Sequence, residues 1–322
     1  MNCLYCYKEL ESEEMDFHAA CSRKIFGTAE APELPYTEAQ MLELARDVIR
    51  SQVAVTGVQA KLSLDIERLT ATHDKKKKLH VATRFTIVGL WGGYILKPPT
   101  VHFRFLPEVE DVTMHLAAIA GMQTVPHSLI RLKSGNLAYI TKRIDRVKDH
   151  KLHMEDMCQL TERLTEDKYK GSYEQIAKAI FNYSANPGLD IINFYEQVVF
   201  SFLTGNADMH LKIFSLIHQP GNGYELAPAY DMVASALVMK EDTEDLALTL
   251  NGRKKKLTRK DFDKALLSAP MADSKSIEAT YRKFSRSIAK WQEFIGASFL
   301  PEDMKEEYRA LISERAQRLE IA

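Results

Sequence analysis

Residues 202–215 read FLTGNADMHLKIFS, and this stretch carries most of what the sequence reveals about the fold. It follows an apolar helical segment and precedes a strand-like run, so we expect a loop at the end of a helix. The loop contains a carboxylate, Asp208, and a cation four residues later, Lys212. A second carboxylate, Asp231, follows the Gly-Asn-Gly hairpin signal at 221–223.

These three side chains together suit phosphoryl transfer. In that reaction one Asp accepts the proton of the attacking hydroxyl, a lysine offsets charge on the moving phosphate, and a second Asp holds magnesium on the ATP phosphates. Each residue taken alone is equally compatible with a structural role. Asp208 could cap a turn, and a histidine such as His210 is more often structural than catalytic.

The composition is that of an ordinary globular protein. Of the 322 residues, 45% are hydrophobic and 27% are charged, so collagen-like, coiled-coil and disordered proteins are excluded. The net charge of −1 gives no general electrostatic case for binding nucleic acid or a membrane surface. The sequence has no apolar run near the ~18 residues of a membrane span. Because the N-terminus also lacks an apolar signal region, we expect a cytoplasmic protein with no membrane partner.

Three of the four cysteines lie near the N-terminus in the pattern C-x2-C-x11-H-x2-C, formed by Cys3, Cys6, His18 and Cys21. Tetrahedral zinc takes four such nitrogen and sulfur donors, so the pattern predicts a closed, structural zinc knuckle. In so short a segment the metal supplies much of the folding energy. A redox Cys-x-x-Cys pair and unrelated buried thiols are the alternatives, although the βαβ context of the redox motif does not follow here.

The order of predicted elements indicates an α+β protein with a β-rich front and a helical back. Strands are predicted at 58–66, 81–88 and 92–97 and in a hairpin at 129–143, with helices at 37–50 and 108–121. Helices dominate after residue 150, at 154–164, 172–185, 190–204, 258–268, 274–296 and 302–319, with short strands at 213–218 and 224–226. This is the bilobal layout of a protein kinase, which other α+β proteins share. The predicted parts are a zinc-knuckle-like segment (1–30), an N-lobe with phosphate loop and hinge (31–146), and a helical C-lobe with the catalytic loop (147–322).

Ordered motifs along the chain resemble those of the HipA family, the serine/threonine kinase toxins of bacterial type II toxin–antitoxin systems. The matching motifs are 56–61 (TGVQAK), 94–98 (YILKP), 109–117 (VEDVTMHLA), 141–146 (TKRIDR), 155–159 (EDMCQ), 168–173 (KYKGSY), 208–212 (DMHLK) and 230–231 (YD). Several motifs in the right order are far more specific than any single one. The resemblance implies a bilobal kinase-like fold, with ATP and magnesium as cofactors.

The resemblance also assigns site residues. It implies a phosphate-covering loop at 56–61 and an adenine-binding hinge at 141–144, and Lys97 as the strand lysine that contacts the phosphates, with Glu110 as its helix partner. The implied ATP-binding residues are Gly57, Gln59, Lys61, Lys97, Glu110, Lys142 and Ile144. In the catalytic loop the resemblance implies Asp208 as the base, Lys212 as the phosphate-side cation and His210 beside them. It implies Asp231 as the magnesium ligand.

Two positions depart from the family pattern. The residue after the catalytic-loop lysine is normally Asn, a second magnesium ligand, whereas here it is Ile213, which has no donor atom. The chain is therefore either a kinase that tolerates this loss or a pseudokinase that binds nucleotide or forms complexes. The autophosphorylated serine of some family members is replaced by Ala54, which leaves Thr56 and Ser51 as candidate phosphoacceptors.

The resemblance finally implies partners. We expect a protein substrate, for which aminoacyl-tRNA synthetases are the family precedent, and an antitoxin, through which DNA would be contacted only indirectly. About fifty residues precede the phosphate loop, as in the short form of the family. A small, separately encoded protein supplying the missing N-terminal subdomain is therefore a further expected partner. A zinc-dependent nucleic-acid binder is the third hypothesis, which the near-zero net charge disfavours.

Overall fold

The computed structural model describes residues 1–12, 15–41, 43–44, 61–68, 83–88, 92–147 and 150–322. The chain divides into two compact units. Unit 1 comprises Met1–Asp111 and Val125–Ile144, and unit 2 comprises Val112–Thr124 and Asp145–Ala322. The three domain boundaries drawn from the sequence stay predictions.

Unit 1 is built on an antiparallel sheet of five strands. The strands are β1 (Leu62–Arg68), β2 (Thr83–Ile87), β3 (Tyr94–Lys97), β4 (His127–Arg131) and β5 (Leu137–Lys142). Their order across the sheet is β2-β1-β3-β5-β4. The central strand β3 pairs Leu96 with Leu62 of β1 on one side and Lys97 with Tyr139 of β5 on the other. Lys97 therefore stands at the end of a strand that is held on both edges.

Unit 1 contains a short N-terminal helix and the start of a longer one. The first, α1 (Ala19–Phe26), ends at Gly27, whose φ of +79° is a left-handed conformation that glycine adopts without strain. At its end Phe26 packs edge-on against Phe85 of β2, with ring centroids 5.6 Å apart. The second helix, α2 (Leu106–Ile119), begins in this unit. The N-terminal segment is thus part of the hydrophobic core of unit 1.

The helix predicted from residue 37 begins as expected. Thr37 and Gln40 form a capping box, in which the Gln40 side chain accepts from the Thr37 amide at 2.9 Å and the Thr37 hydroxyl accepts from the Gln40 amide at 3.4 Å. Beyond residue 44 this prediction lies outside the described residues.

Unit 2 is mainly helical and carries two small sheets. The strands β6 (Arg146–Val147) and β7 (His150–Lys151) form one pair, and β8 (Met154–Asp156), β9 (Ser215–Gln219) and β10 (Gly223–Leu226) form a three-stranded sheet with β9 in the middle. The helices are α3 (Met157–Leu160), α4 (Tyr173–Tyr183), α5 (Pro187–Leu203), α6 (Ser235–Val238), α7 (Arg259–Ser268), α8 (Ser274–Ala297) and α9 (Glu302–Arg318). The long predicted helices after residue 170 are confirmed to within three residues at each end. No helix among the described residues is both long enough and apolar enough to span a membrane.

One predicted helix is wrong. The segment 154–164 is a strand followed by a single helical turn, because Met154 and Asp156 pair with Ile217 and Ser215 of β9. Asp156 then starts α3 by accepting from the Gln159 amide at 3.0 Å, while the Gln159 side chain accepts from the Asp156 amide. Pairing with a distant strand overrode the local helical pattern here.

Candidate active site

A glycine fixes the turn from α5 into the loop that carries Asp208. Gly205 has a φ of +68°, and a Cβ atom at this position would lie 2.6 Å from Cδ2 of Leu311. Both the backbone conformation and the close approach of α9 therefore require glycine. The loop leaves α5 in a defined direction as a result.

Asp208 is held by two neighbouring side chains. Its amide donates to the Asn206 side-chain oxygen at 3.1 Å, which shapes the loop. Its carboxylate accepts a hydrogen bond from the hydroxyl of Tyr169 at 2.5 Å. Burial, and after it this hydrogen bond, raise the pKa of the Tyr169 phenol. The hydroxyl therefore stays protonated and remains a donor to the carboxylate.

His210 lies close to both carboxylates of the predicted site. Burial lowers the pKa of its imidazole, while the charges of Asp208 and Asp231 act in the opposite direction. The ring also stacks edge-on against Tyr169, with centroids 5.0 Å apart. His210 is therefore neutral near pH 7. The structure places Asp208, His210 and Asp231 near one another in unit 2, and the roles that the resemblance assigns to them stay predictions.

Two buried polar atoms in this loop have no hydrogen-bond partner among the described residues. They are Nδ2 of Asn206 and Nδ1 of His210. Buried polar groups in folded proteins are nearly always paired, so each exception calls for an explanation, of which a functional role is one. Both atoms belong to the loop around Asp208.

Lys212 forms an ion pair within unit 2. Its ammonium lies 2.6 Å from the carboxylate of Asp156, the residue that caps α3, and about a third of the Lys212 side chain is exposed. Its carbonyl accepts from the Tyr230 hydroxyl at 3.1 Å. The lysine is therefore held in place by two contacts while part of it still faces solvent.

Asp231 has a strained backbone. Its φ of +59° lies in the left-handed region, which costs a residue other than glycine about 1 kcal/mol or more. The preceding residue anchors it, because the Tyr230 hydroxyl and Ser215 Oγ are 2.6 Å apart. Such strain is commonest at ligand-binding and catalytic positions. It sets Asp231 apart from the other acidic residues that the sequence singled out.

Ile213 occupies the position where the family normally has the second magnesium ligand. It closes a short 3-10 turn, Leu211–Ile213, with its amide donating to the His210 carbonyl at 3.0 Å. The residue is only 7% exposed. The turn thus keeps its shape around an apolar side chain that offers no oxygen to a hard cation.

In unit 1 the structure brings together Lys97 and Glu110. The Lys97 ammonium lies 2.5 Å from the Glu110 carboxylate, and the two side chains are 4% and 2% exposed. The ammonium also sits over the ring of Tyr139, 5.4 Å from its centroid. A buried strand lysine paired with a glutamate on the following helix is the arrangement that kinases use to position ATP phosphates.

The remaining predicted ATP-binding residues fall into two groups. Gly57 and Gln59 lie outside the described residues, as do Ser51, Ala54 and Thr56. Lys61 and Lys142 are exposed and Ile144 is half-buried. At the predicted hinge the Lys142 amide donates to the Pro126 carbonyl at 2.9 Å, so this amide is already used within the protein.

The cysteine cluster also forms in unit 1. The ligand atoms of Cys3, Cys6, His18 and Cys21 all lie within 4.8 Å of one another. The spacing of the motif therefore brings together four donors of the type that zinc prefers.

Three residues of this site were missed as functional residues by the sequence reasoning. Tyr169 and Asp156 lie in motifs that identified the family, KYKGSY and EDMCQ, but those motifs gave no hint of their partners Asp208 and Lys212. Asn206 lies two residues before Asp208, and a loop asparagine followed by an aspartate was the available signal. All three act on residues that the sequence did identify.

The fold is of the protein-kinase-like α+β class. The chain belongs to the HipA-like C-terminal domain family, whose family model matches residues 53–293. The family resemblance and the fold class predicted from the sequence are thereby confirmed.

The alignments with two curated relatives cover a larger share of this chain than of the relatives. A presumed kinase of Sinorhizobium fredii, Y4dM, is 28% identical over 271 residues, which is 80% of this chain and 63% of the relative. A presumed kinase of Haemophilus influenzae is 30% identical over 217 residues, which is 63% of this chain and 58% of the relative. The chain thus spans about six-tenths of the length of these relatives.

Two solved structures share the fold. HipA of Shewanella oneidensis, in a complex with HipB and operator DNA, matches with a TM-score of 0.67 at 20% identity, over 89% of this chain and 71% of that chain. The proinflammatory kinase CtkA of Helicobacter pylori matches with a TM-score of 0.50 at 18% identity, over 70% of this chain and 87% of that chain. At these identities the similarity concerns the fold alone.

Proposed function

We propose that the protein is a kinase that transfers the γ-phosphate of ATP to a serine or threonine hydroxyl of a protein substrate. The observation that carries this proposal is the hydrogen bond from the Tyr169 hydroxyl to Asp208. It places a hydroxyl against the carboxylate that must accept a hydroxyl proton during transfer. The buried Lys97–Glu110 pair supports the same reaction.

We propose the following roles for these residues, which their contacts support. The substrate hydroxyl oxygen attacks the γ-phosphorus, the bond from that phosphorus to the β,γ-bridging oxygen breaks, and ADP leaves. The proton of the attacking hydroxyl goes to Asp208. Lys97, held by Glu110, binds the α- and β-phosphates, and Lys212 offsets charge on the transferred group from its position beside Asp156.

Magnesium fits the site only in part. The ion supplies charge neutralisation on the ATP phosphates, and Asp231, with its left-handed backbone and its carboxylate near His210, is the residue that would hold it. Ile213 provides no ligand. Bound magnesium would therefore lack the side-chain oxygen that the family's asparagine supplies, and we expect phosphoryl transfer to be slow.

A catalytically impaired pseudokinase is the second candidate function. The observation in its favour is that Ile213 is buried and apolar where the family has a ligand. In that role the protein would bind nucleotide through Lys97 and form complexes without phosphoryl transfer.

The partners are proposed by analogy with the solved relative. The Shewanella protein is in a complex with HipB and operator DNA. By that analogy an antitoxin is the expected partner of this chain, with DNA contacted through it. An aminoacyl-tRNA synthetase as substrate, a separately encoded N-terminal subdomain, and structural zinc at the cysteine cluster complete the proposal.

The test is transfer of γ-phosphate from Mg-ATP to the protein itself and to host lysate. The protein is compared with Ile213→Asn and Asp208→Asn, and with Asp303→Asn, which changes an exposed carboxylate in the first turn of α9. Transfer that is lost in Asp208→Asn and kept in Asp303→Asn supports an active kinase. Activity that appears only in Ile213→Asn supports the pseudokinase. Silence in every variant would refute both the base assignment and the kinase proposal.

A further inference from the structure

The cysteine cluster has the donors and the geometry of a closed zinc site. The Cys6 and Cys21 sulfurs lie 3.5 and 3.9 Å from Nδ1 of His18. The other ring nitrogen of His18 lies 2.9 Å from the Glu9 carbonyl and can donate to it, so Nδ1 is the nitrogen that faces the cysteine sulfurs. A histidine that ligates through one nitrogen and donates through the other is the usual arrangement at zinc.

The local backbone holds these donors in place. The Tyr7 amide donates to the Cys3 carbonyl at 2.9 Å, which closes the turn that carries Cys3 and Cys6. His18 caps α1, since the Ser22 amide donates to its carbonyl at 2.9 Å, and Cys21 lies in the first turn of that helix. One tight turn and one helix start therefore each present two ligands.

The segment that carries the cluster is bonded to the sheet of unit 1. The Leu4 carbonyl accepts from Ser128 Oγ at 3.1 Å and from the Leu129 amide at 3.3 Å, both on β4. Asp16 forms an ion pair with Arg131 at 2.8 Å. The segment that carries the cluster thus lies against β4, an edge strand of the sheet.

A second contact links the cluster to α2. The hydroxyl of Tyr7, the residue after Cys6, donates to Asp111 at 2.5 Å, and the other oxygen of Asp111 lies 2.8 Å from Nδ1 of His127. Asp111 is fully buried. It is the direct neighbour of Glu110, which pairs with Lys97.

We propose that Cys3, Cys6, His18 and Cys21 bind one zinc ion, and that the zinc-bound segment positions Glu110 through the hydrogen bond from Tyr7 to Asp111. The metal supplies the folding energy that a segment of this length cannot obtain from its own core. Loss of the metal releases the turn and withdraws the Tyr7 hydroxyl from a buried carboxylate. Tyr7 and Asp111 are then positioning residues. Only their effect on nucleotide binding rests on the proposed kinase function.

The metal site is tested by the zinc content of the full chain. We expect about one zinc per chain in the protein purified without chelator, and about one in Cys158→Ser, which changes a buried cysteine of unit 2. In Cys6→Ser we expect the content to fall by about tenfold or more. A protein without bound zinc, or a Cys6→Ser variant that keeps the full content, would overturn the site.

The coupling is tested with Tyr7→Phe, which keeps the ring and removes the hydroxyl, and with the control Tyr36→Phe in the same unit. We expect Tyr7→Phe to keep its zinc, to lose about tenfold or more of the hydrogen-exchange protection at the start of α2, and to bind ATP about tenfold more weakly. Adding Asp111→Asn to Tyr7→Phe should cost less than the sum of the two single changes, because both remove the contact between Tyr7 and Asp111, and the remainder reports the separate contact of Asp111 with His127.

The outcomes separate the two proposals. Zinc bound with α2 protection unchanged in Tyr7→Phe would overturn the coupling and leave the kinase proposal untouched. Zinc and coupling both present in a chain that does not bind ATP would support the metal-linked positioning and refute the kinase function. Phosphate transfer by a chain without zinc would refute this inference alone.

Discussion

Variants at the buried Lys97–Glu110 pair are expected to affect the free energy of unfolding and the affinity for nucleotide in different ways. Removing one partner of a buried ion pair leaves an uncompensated charge and costs about 3–5 kcal/mol, whereas replacing both with apolar residues of similar volume is often neutral. The two side chains are 4% and 2% exposed, so the full cost applies. We expect Lys97→Met to lower the free energy of unfolding by about 3–5 kcal/mol. The double variant Lys97→Met with Glu110→Met should return to within about 1 kcal/mol of the parent protein.

Nucleotide binding should behave differently. Both variants lack the ammonium that we propose binds the phosphates, so neither should recover ATP affinity although the double variant recovers stability. Urea unfolding followed by circular dichroism measures the stability, and titration calorimetry with Mg-ATP measures the nucleotide affinity. Lys283→Met is the matched control. It breaks a more exposed pair with Glu196 in unit 2, and we expect a loss of at most about 1 kcal/mol and no change in ATP affinity.

Two results would refute this reasoning. A loss below about 1 kcal/mol in Lys97→Met would mean that the pair is not buried in solution. Recovery of ATP affinity in the double variant would mean that Lys97 does not contact the nucleotide.

Three further predictions concern other parts of the fold. Burial raises the pKa of Glu108 to about 7 from 4.5, because it disfavours the charged carboxylate. The stability of the protein that depends on this group is therefore fully present below about pH 4.5 and is lost as the pH rises through 7. Thermal unfolding should show Glu108→Gln more stable than the parent by under about 1 kcal/mol at pH 5 and by about 2–3 kcal/mol at pH 8. Tyr169→Phe removes the hydrogen bond to Asp208. We expect the KM for the protein substrate to change and the affinity for ATP to stay the same. An unchanged KM in steady-state assays would argue against contact between this hydroxyl and the substrate site. Gly205→Ala places a Cβ against Leu311 at a positive φ, and urea unfolding should show a loss of about 2 kcal/mol or more.

Much of the candidate site could be predicted from sequence because its residues lie close together along the chain. Asp208, His210 and Lys212 fall within five positions, so one motif was enough to identify them. Tyr169 could not be linked to Asp208 in this way, because 39 positions separate them and the contact depends on how the loop before α4 packs. The same holds for Lys212 and Asp156, which lie 56 positions apart.

The error at 154–164 has a related cause. Local spacing favoured a helix there, but the backbone of Met154–Asp156 satisfies its hydrogen bonds with β9, more than fifty positions away. A periodicity within one segment contains no information about which distant strand will be its neighbour.

The sequence by itself determined the family, the α+β class, the long helices of unit 2 and the residue types at the catalytic loop and the cysteine cluster. Each of these depends on spacing over a few residues, which fixes the backbone geometry locally. Only the tertiary structure decided that the pair of Lys97 and Glu110, which the resemblance implied, is buried, that Tyr169 donates to Asp208, and that Tyr7 reaches Asp111. Those contacts join segments far apart in the chain, and their strength depends on burial, because the same charges and hydroxyls in water interact weakly.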